Sequence, residues 1–336
     1  MKLFIYEHIT SGALIDAPLP ASLAREGHEM LMAIVQDFSQ IANIELFILR
    51  DHRLTALTQI SHVSSYPVTN ANTFQHHYHD LLNHVDVVLP IAPETEHVLY
   101  DIQSDVLNSP AHLLGCQPAA TEVCTNKLHY GQRFNRSTPM TVKAKDFLAS
   151  PFSSRTGFII KPLDGAGCLD TLFCAQASDV SLFLQQHIDS LERLIVQDYR
   201  EGTPISLCLL ADISGITVLS INQQHIDINH QNGTLSYQGS TVNGVDDAIF
   251  SLQQAQKLAA DIHKNIPGLF GFIGADLIVG EDKISIIDIN PRLTTSYSAL
   301  HQSLKINPAQ LLLTLFKHGL SALPAFTTRT PIEVLI

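Results

Sequence analysis

Apolar and polar positions follow two different rhythms along this chain, and the change of rhythm divides it. KLFIY (residues 2–6) is a short apolar run of strand type, and Ala21 to Ile41 carries Leu23, Met30, Ile34, Phe38 and Ile41 at helical spacing. A second strand, IELFILR, a polar helix-like stretch from Asn72 to Asn83 and a buried-type strand, VDVVLPIA, follow. Strands recurring with helices between them predict a parallel sheet covered on both faces. Ala92 to about Leu114 reads as a helix leading out of this α/β unit.

Beyond Thr125 the pattern becomes that of a small α+β unit, from Asn126 to Glu201. TGFIIKP is a strand, DGAGCLD a glycine-containing loop and TLFCA another strand, so Gly157 to Ala175 reads as a hairpin with a mobile tip. ASDVSLFLQQHI carries a helical stripe with Ser and Asp near its start, and LERLIVQDY is a strand. After Gly202 come ISLCLLADISGITVLSI, a helix from Ile249 to His263, and GFIGADLIVGEDKISIIDIN. The expected division is therefore 1–115, 116–201 and 202–336.

Composition narrows the class. The 336 residues suffice for about two structural units with a substantial core. With 45% hydrophobic and 15% charged residues the chain is not a disordered one. A formal charge of -12 argues against gripping nucleic acid or anionic lipid. No apolar run approaches the roughly 20 residues that span a bilayer, and MKLFIYEH is too short for a secretory core segment. Five cysteines without CxxC spacing give neither a disulfide framework nor a structural zinc site. The expectation is a soluble cytoplasmic protein whose partners are small molecules, with neither nucleic acid nor membrane, and with a homodimer left open.

Three segments could carry chemistry. In GADLIVGEDKISIIDINPR two apolar strands flank Gly280-Glu281-Asp282, which reads as a tight loop. That loop pairs Val279 with Lys283, sets Asp276 opposite Ile286, and puts Asp276, Asp288 and Asn290 on one face. Carboxylates amid Leu, Ile and Val need a partner, and three oxygen donors suit Mg²⁺, with Mn²⁺ as the other candidate. The plainer reading is that Asp288 caps a strand end while Asp276 faces solvent. In FIIKPLDGAGCLD a strand-end lysine precedes Gly165 and Gly167, a pattern that can surround a phosphate but lacks the P-loop spacing. An ordinary turn explains it as well. IVQDYREG could be a hinge whose backbone meets a flat ring, or simply a strand end. His76, His77 and His79 read as a solvated face, Cys168 as incidental, and Ser11-Gly12 as a turn without the GxGxxG of a dinucleotide site.

Order and spacing together resemble the ATP-grasp superfamily over nearly the whole chain, including an N-terminal unit like that family's pre-ATP-grasp domain. The resemblance implies ATP held between two α+β subdomains. It sets Lys161 and the earlier Lys127 of CTNKLHYG on the phosphates, and Gly165, Ala166 and Gly167 in a flexible lid loop. Gln197 stands where a Glu usually reads the adenine amino group, and Tyr199 and Arg200 lie where the backbone meets the ring. Asp276, Asp288 and Asn290 match the metal ligands, and Lys161 and Arg292 the catalytic cations. The usual ribose-binding Glu is missing: Pro204 stands in its place and Glu201 comes three residues early.

Within the superfamily EHITSG, LPASLAREGHEML, IAPETEHVLY, SLCLL with SINQQHI, and NPRLTTSY resemble the tyramine–glutamate ligase branch, which serves methanofuran-type cofactor synthesis. The implied reaction is ATP-dependent amide formation through an acyl phosphate, joining glutamate to tyramine or tyrosine. Phosphorylation of a small acid without ligation, a ligase for another amino acid, and a nucleotide-binding regulator are the alternatives. For the substrate, Glu7, Ser11 and Gly12 follow the first strand, where ligands of open α/β sheets collect. Glu7 is expected to hold an ammonium, and Thr294, Thr295 and Ser296 a carboxylate. The alternative is that Glu7 pairs with a nearby basic side chain and the Thr-Thr-Ser run caps a helix.

Overall fold

The computed structural model describes every residue except Thr58, Gln59, Ser61, Asn135, Arg136, Ala166, Gly167, Leu169, His230, Asp282 and Ile336, and the side chains of His129, Tyr130 and Gln132. Three sheets occupy successive stretches of the chain.

The first sheet is parallel. It contains β1 (Lys2–Glu7), β2 (Glu45–Asp51), β3 (Val63–Val68), β4 (Val87–Ile91) and β5 (His112–Leu113) in the order β3-β2-β1-β4-β5. The helices α1 (Ala21–Ser39), α2 (Ala71–His84) and α3 (Val98–Leu107) link these strands. β1 and β4 read as unbroken apolar runs because both faces of a parallel sheet are covered. Leu3 and Ile5 face one core, and Phe4 and Tyr6 another with Tyr78, Leu99 and Val106. The helix expected over residues 92–114 is shorter. Left-handed backbone at Glu96 (φ 54°) and His97 (φ 62°) delays its start, and Ser109-Pro110 excludes helix beyond it, because the residue before proline avoids the helical region.

The chain continues through α4 (Pro118–Thr125) and α5 (Lys127–Phe134) into a four-stranded antiparallel sheet. That sheet has the order β6-β9-β7-β8, from β6 (Thr141–Lys143), β7 (Phe158–Pro162), β8 (Leu172–Cys174) and β9 (Leu194–Asp198). The helices α6 (Ala144–Ala149) and α7 (Ala177–Gln186) cover one face around Phe147, Phe158, Val180 and Leu184. β7 and β8 form the expected hairpin, and of its loop Ala166 and Gly167 lie outside the described residues.

A six-stranded antiparallel sheet follows, from β10 (Thr203–Asp212), β11 (Gly215–Ile228), β12 (Leu235–Val242), β13 (Gly271–Val279), β14 (Ile284–Asn290) and β15 (Ile332–Leu335). Its order is β14-β13-β10-β11-β12-β15. α8 (Leu252–Asn265) begins at a Ser251/Gln254 capping box and packs on this sheet through Ala255, Ala259 and Ile262. α9 (Tyr297–Leu304) and α10 (Pro308–His318), which periodicity did not mark, turn the other way. Leu300 and Leu312 join Leu3, Ile5 and Phe38 in one core, so the last helices are packed on the first sheet.

The β13–β14 hairpin departs from the expected register. Val279 pairs with Ile284 rather than Lys283, and Leu277 rather than Asp276 lies opposite Ile286. A β-bulge then sets Ile287 out of the pairing, so that Asp276 stands opposite Asp288 and Gly274 opposite Asn290. The loop is one residue longer than inferred. It is closed by a hydrogen bond of 3.0 Å from Gly280 N–H to the Lys283 carbonyl, with Asp282 outside the described residues. Two one-residue shifts therefore cancel, and the three polar side chains do share a face.

Candidate active site

A cavity opens between the four-stranded and six-stranded sheets, and most of the residues singled out from the sequence line it. Its cationic end is built by two lysines of different origin. Lys161 is the penultimate residue of β7 and is only 7% exposed, while Lys127 opens α5 and is 3% exposed. Lys161 Nζ donates to the Ile287 carbonyl at 3.4 Å, the residue that the bulge takes out of the register. Lys127 Nζ donates to the Gly165 carbonyl at 2.7 Å and pairs with Asp288 Oδ2 at 3.3 Å. Burial, and then the neighbouring Lys127 charge, push the Lys161 ammonium down to about 8. Two ammonium groups crowded in one cavity favour a polyanion.

Facing them, Asp276 accepts hydrogen bonds from Gln224 Nε2 (2.9 Å) and Asn290 Nδ2 (3.1 Å). Burial and then the Asp288 carboxylate raise Asp276 to about 7. That repulsion between facing carboxylates is an electrostatic deficit which a divalent cation removes, and carboxylate and amide oxygens are the donors Mg²⁺ prefers. Among the described residues no group of three or more His, Cys, Asp and Glu side chains could hold a metal ion. A cation here would therefore draw its remaining oxygens from water or phosphate.

The cavity also has apolar walls, to which Ile159, Leu277 and Ile278 contribute. Buried Gln197 on β9 donates through Nε2 to Thr141 Oγ1 at 2.9 Å. The following backbone is held by Tyr199 N–H to the Gly157 carbonyl (2.9 Å) and Thr156 Oγ1 to the Tyr199 carbonyl (2.7 Å). The Tyr199 ring meets Phe173 edge to face at 4.9 Å, and Arg200 Nη2 pairs with Asp198 at 3.1 Å. An apolar slot beside a rigid polar strand end can take a flat heteroaromatic ring.

Arg292 follows β14 and reaches back to the segment just past the carboxyl end of β4, where it pairs with Glu94. Thr294, Thr295 and Ser296 line the cavity beside it. Thr294 and Ser296 hydroxyls lie 3.1 Å apart, and Thr294 packs where a Cβ on Gly274 would come within 2.6 Å of its methyl.

Glu7, Ser11 and Gly12 are not brought into this cavity. The Glu7 carboxylate is 3% exposed and accepts from Ile9 N–H (3.2 Å), Thr10 N–H (2.7 Å) and Thr10 Oγ1. Gly27 of α1 closes over it, since a Cβ there would meet Glu7 Oε1 at 2.6 Å. Ser11 Oγ donates to the His8 carbonyl, and Gly12 needs its positive φ of 92° against Val68. These three residues build the turn after β1. Sequence reasoning missed Glu94, Glu26 on α1, and Gln224 and Tyr237, all but Glu94 lining the cavity. Glu94 carried a usable signal, its place just past the carboxyl end of β4; Glu26 looks like any exposed helix carboxylate. Cys168 also lines the cavity, but burial and the Asp276 charge push its thiol up to about 11, so it stays protonated.

The ATP-grasp domain pattern matches residues 124–296, which include the lysines, the hinge strand, the bulged hairpin and Arg292. The chain belongs to the ATP-grasp family. The pre ATP-grasp 3 domain matches residues 44–121, within the parallel-sheet region. A tyramine–L-glutamate ligase of Methanocaldococcus fervens is 28% identical over 303 residues, 89% of each chain. One from Methanocaldococcus jannaschii is 26% identical over 86% of this chain and 81% of its own. Among solved structures, a protein assigned to the ATP-grasp superfamily from Archaeoglobus fulgidus superposes with a TM-score of 0.71 at 22% identity, over 93% of this chain and 88% of that one. An L-amino acid ligase from Bacillus licheniformis does so at 0.60 and 14% identity, over 94% and 73%. This ATP-grasp protein is an ATP-dependent ligase that forms C–N bonds. Among its described residues no helix is long and apolar enough to cross a membrane.

Proposed function

We propose that this ligase phosphorylates a carboxylate of glutamate and couples it to the amine of tyramine or tyrosine, in synthesis of a methanofuran- or methylofuran-type cofactor. The substrate pair rests on the two tyramine–L-glutamate ligases, which match this chain over more than four fifths of its length. The observation that carries the chemistry is the single cavity that holds buried lysines, facing carboxylates and an apolar slot. In the same reading the protein is cytoplasmic and divides at 1–115, 116–201 and 202–336.

Adenine enters the slot beside Gln197, Tyr199 and the Arg200 backbone, with the phosphates directed to Lys127, Lys161 and the loop at Gly165. Asp276, Asp288 and Asn290 would hold Mg²⁺, which supplies charge neutralisation across the phosphates. A carboxylate anion resists attack by an amine, so its oxygen first takes the γ-phosphoryl group and ADP leaves. The amine nitrogen then bonds to the acyl carbon, loses a proton, and inorganic phosphate departs. Arg292 stabilises the oxyanion formed at that carbon. Thr294, Thr295 and Ser296 offer hydroxyl and N–H donors to a substrate carboxylate, and Glu26, which α1 brings to the same cavity, takes the ammonium.

Incubation with ATP, Mg²⁺, glutamate and either tyramine or tyrosine, followed by mass analysis, tests this. Amide with ADP release dependent on both substrates supports it. ADP release with acid alone indicates a kinase, and no ADP release under any of these conditions indicates a regulator.

A further inference from the structure

Residues 94–97 run from the end of β4 into α3, and they touch both halves of the catalytic cavity. Glu94, 5% exposed, closes on Arg292 through an ion pair of 2.9 Å at Nε and a hydrogen bond of 3.1 Å from Nη2. The Nη2 contact is the aligned hydrogen bond of the pair, while buried Nε and Oε1 are close without forming one, so attraction and a single hydrogen bond together hold the guanidinium in place. The next two residues hold the other side. Thr95 Oγ1 donates to the Asp164 carbonyl at 3.3 Å, and Glu96 N–H donates to Asp164 Oδ2 at 2.9 Å. Asp164 opens the glycine loop, and its neighbour Gly165 is the acceptor of Lys127.

The backbone supports a strained connector. Glu96 and His97 are consecutive non-glycine residues at φ 54° and 62°. Such conformers persist where surrounding contacts hold them, and the contacts here are those to Asp164 and Arg292. The Glu96–Arg193 pair at 2.8 Å is exposed on both sides, and an exposed pair contributes little.

We propose that Glu94 is the positioning residue for Arg292, and that Thr95 and Glu96 tie its aim to the glycine loop. The position of Asp164 and the orientation of the guanidinium are then set by one short segment. This rests on the reading of Arg292 as the group that stabilises the oxyanion.

The test uses the full chain with the Glu94→Gln, Asp164→Ala and double variants, and reads kcat, KM and amide hydrogen exchange with and without ATP. Each single substitution is expected to lower kcat about 10- to 100-fold while the ATP KM stays within about twofold. The double variant should fall no further than about threefold below the worse single, because the two act on one device. On ATP addition the amides of Glu96 and Gly165 should gain protection together in the wild type and lose that concert in Asp164→Ala. Near-wild-type kcat in Glu94→Gln, multiplicative losses in the double variant, or independent protection of the two amides would overturn the proposal. Glu94→Gln leaves a mostly buried arginine unpaired and could fail to fold. Asp164→Ala and Thr95→Val leave that pair intact, and a several-fold loss of kcat in both is then the required result. Failure of the underlying reading is seen separately, as undiminished turnover in Arg292→Lys with the concerted exchange intact.

Discussion

Replacing Asp288 by Asn separates the metal reading from a purely structural one, because the carboxylate touches two things at once. Asn keeps the shape of Asp, so shape alone predicts an unchanged fold. The ion pair predicts otherwise. Lys127 Nζ stands 3.3 Å from Asp288 Oδ2, with the two side chains 4% and 14% exposed. At that separation the Coulomb attraction is about 5 kcal/mol for an effective dielectric of 20. Removing one member of a buried pair costs about 3–5 kcal/mol. At roughly 2 °C per kcal/mol for a chain of this size, melting should fall by about 6–10 °C. Turnover, measured well below that melting point, should fall at least about 100-fold, since a ligand is lost where phosphoryl charge develops. Excess Mg²⁺ should restore part of the loss, whereas a defect confined to lysine pairing is indifferent to Mg²⁺. Turnover within threefold of wild type at ordinary Mg²⁺ would refute the assignment, whatever the melting curve does.

Glu26→Gln should raise the amino-acid KM at least about tenfold, on the loss of a charge-assisted contact, with the ATP KM little changed; equal KM values for the amino acid would remove Glu26 from the site. Gly27→Ala drives a Cβ to 2.6 Å from Glu7 Oε1. Overpacking of about 1–3 kcal/mol then outweighs the helix-propensity gain of about 1 kcal/mol, so melting falls while KM values hold; a raised amine KM at constant melting temperature would return Glu7 to the substrate. Burial holds the half-buried His8 imidazole down at about 4 against 6.5. The unfolded chain therefore binds more protons between those values, and stability falls as pH drops from 6.5 towards 4. Urea unfolding of His8→Gln at pH 7 and pH 5 should show a smaller pH difference than wild type, and an identical one sinks the argument.

Polar residues at the ends of apolar strands were the readable part of the site. Lys161, Asp276, Asp288 and Asn290 each interrupt a run of Ile, Leu or Val, where an unmatched charge is costly, and all four line one cavity. β1, β2, β4 and α1 were equally plain, because buried parallel strands and an amphipathic helix carry strong patterns. β3 and β12 carry exposed polar positions along much of their length, and β5 has two residues, so none offers a period to find. Glu7 misled for a physical reason: the carboxyl end of a strand marks where ligands collect, but not which carboxylates the turn itself consumes. Glu94 met the same positional criterion, and only its tertiary contact with a residue 198 positions away separates it from Glu7. Glu26 has no local signature, since a glutamate on the polar stripe of a helix looks the same whether it faces water or a cavity.

The bulge at Ile287 makes the β13–β14 hairpin a counting device. Side chains on paired strands follow parity, and the tip loop and the bulge each contribute one odd step. Straighten the bulge while keeping the tip, and Asp288 moves opposite Ala275, placing the two carboxylates on opposite faces of the sheet; Lys161 also loses the offset carbonyl it now holds. A single-residue insertion in β14 between Ile284 and Asp288, with the bulge retained, should therefore act like a frameshift confined to one hairpin, abolishing activity while most of the apolar sheet still assembles. A second single-residue change at the tip would restore the phase. Chains that vary at either place are accordingly expected to vary at both, or to keep both unchanged.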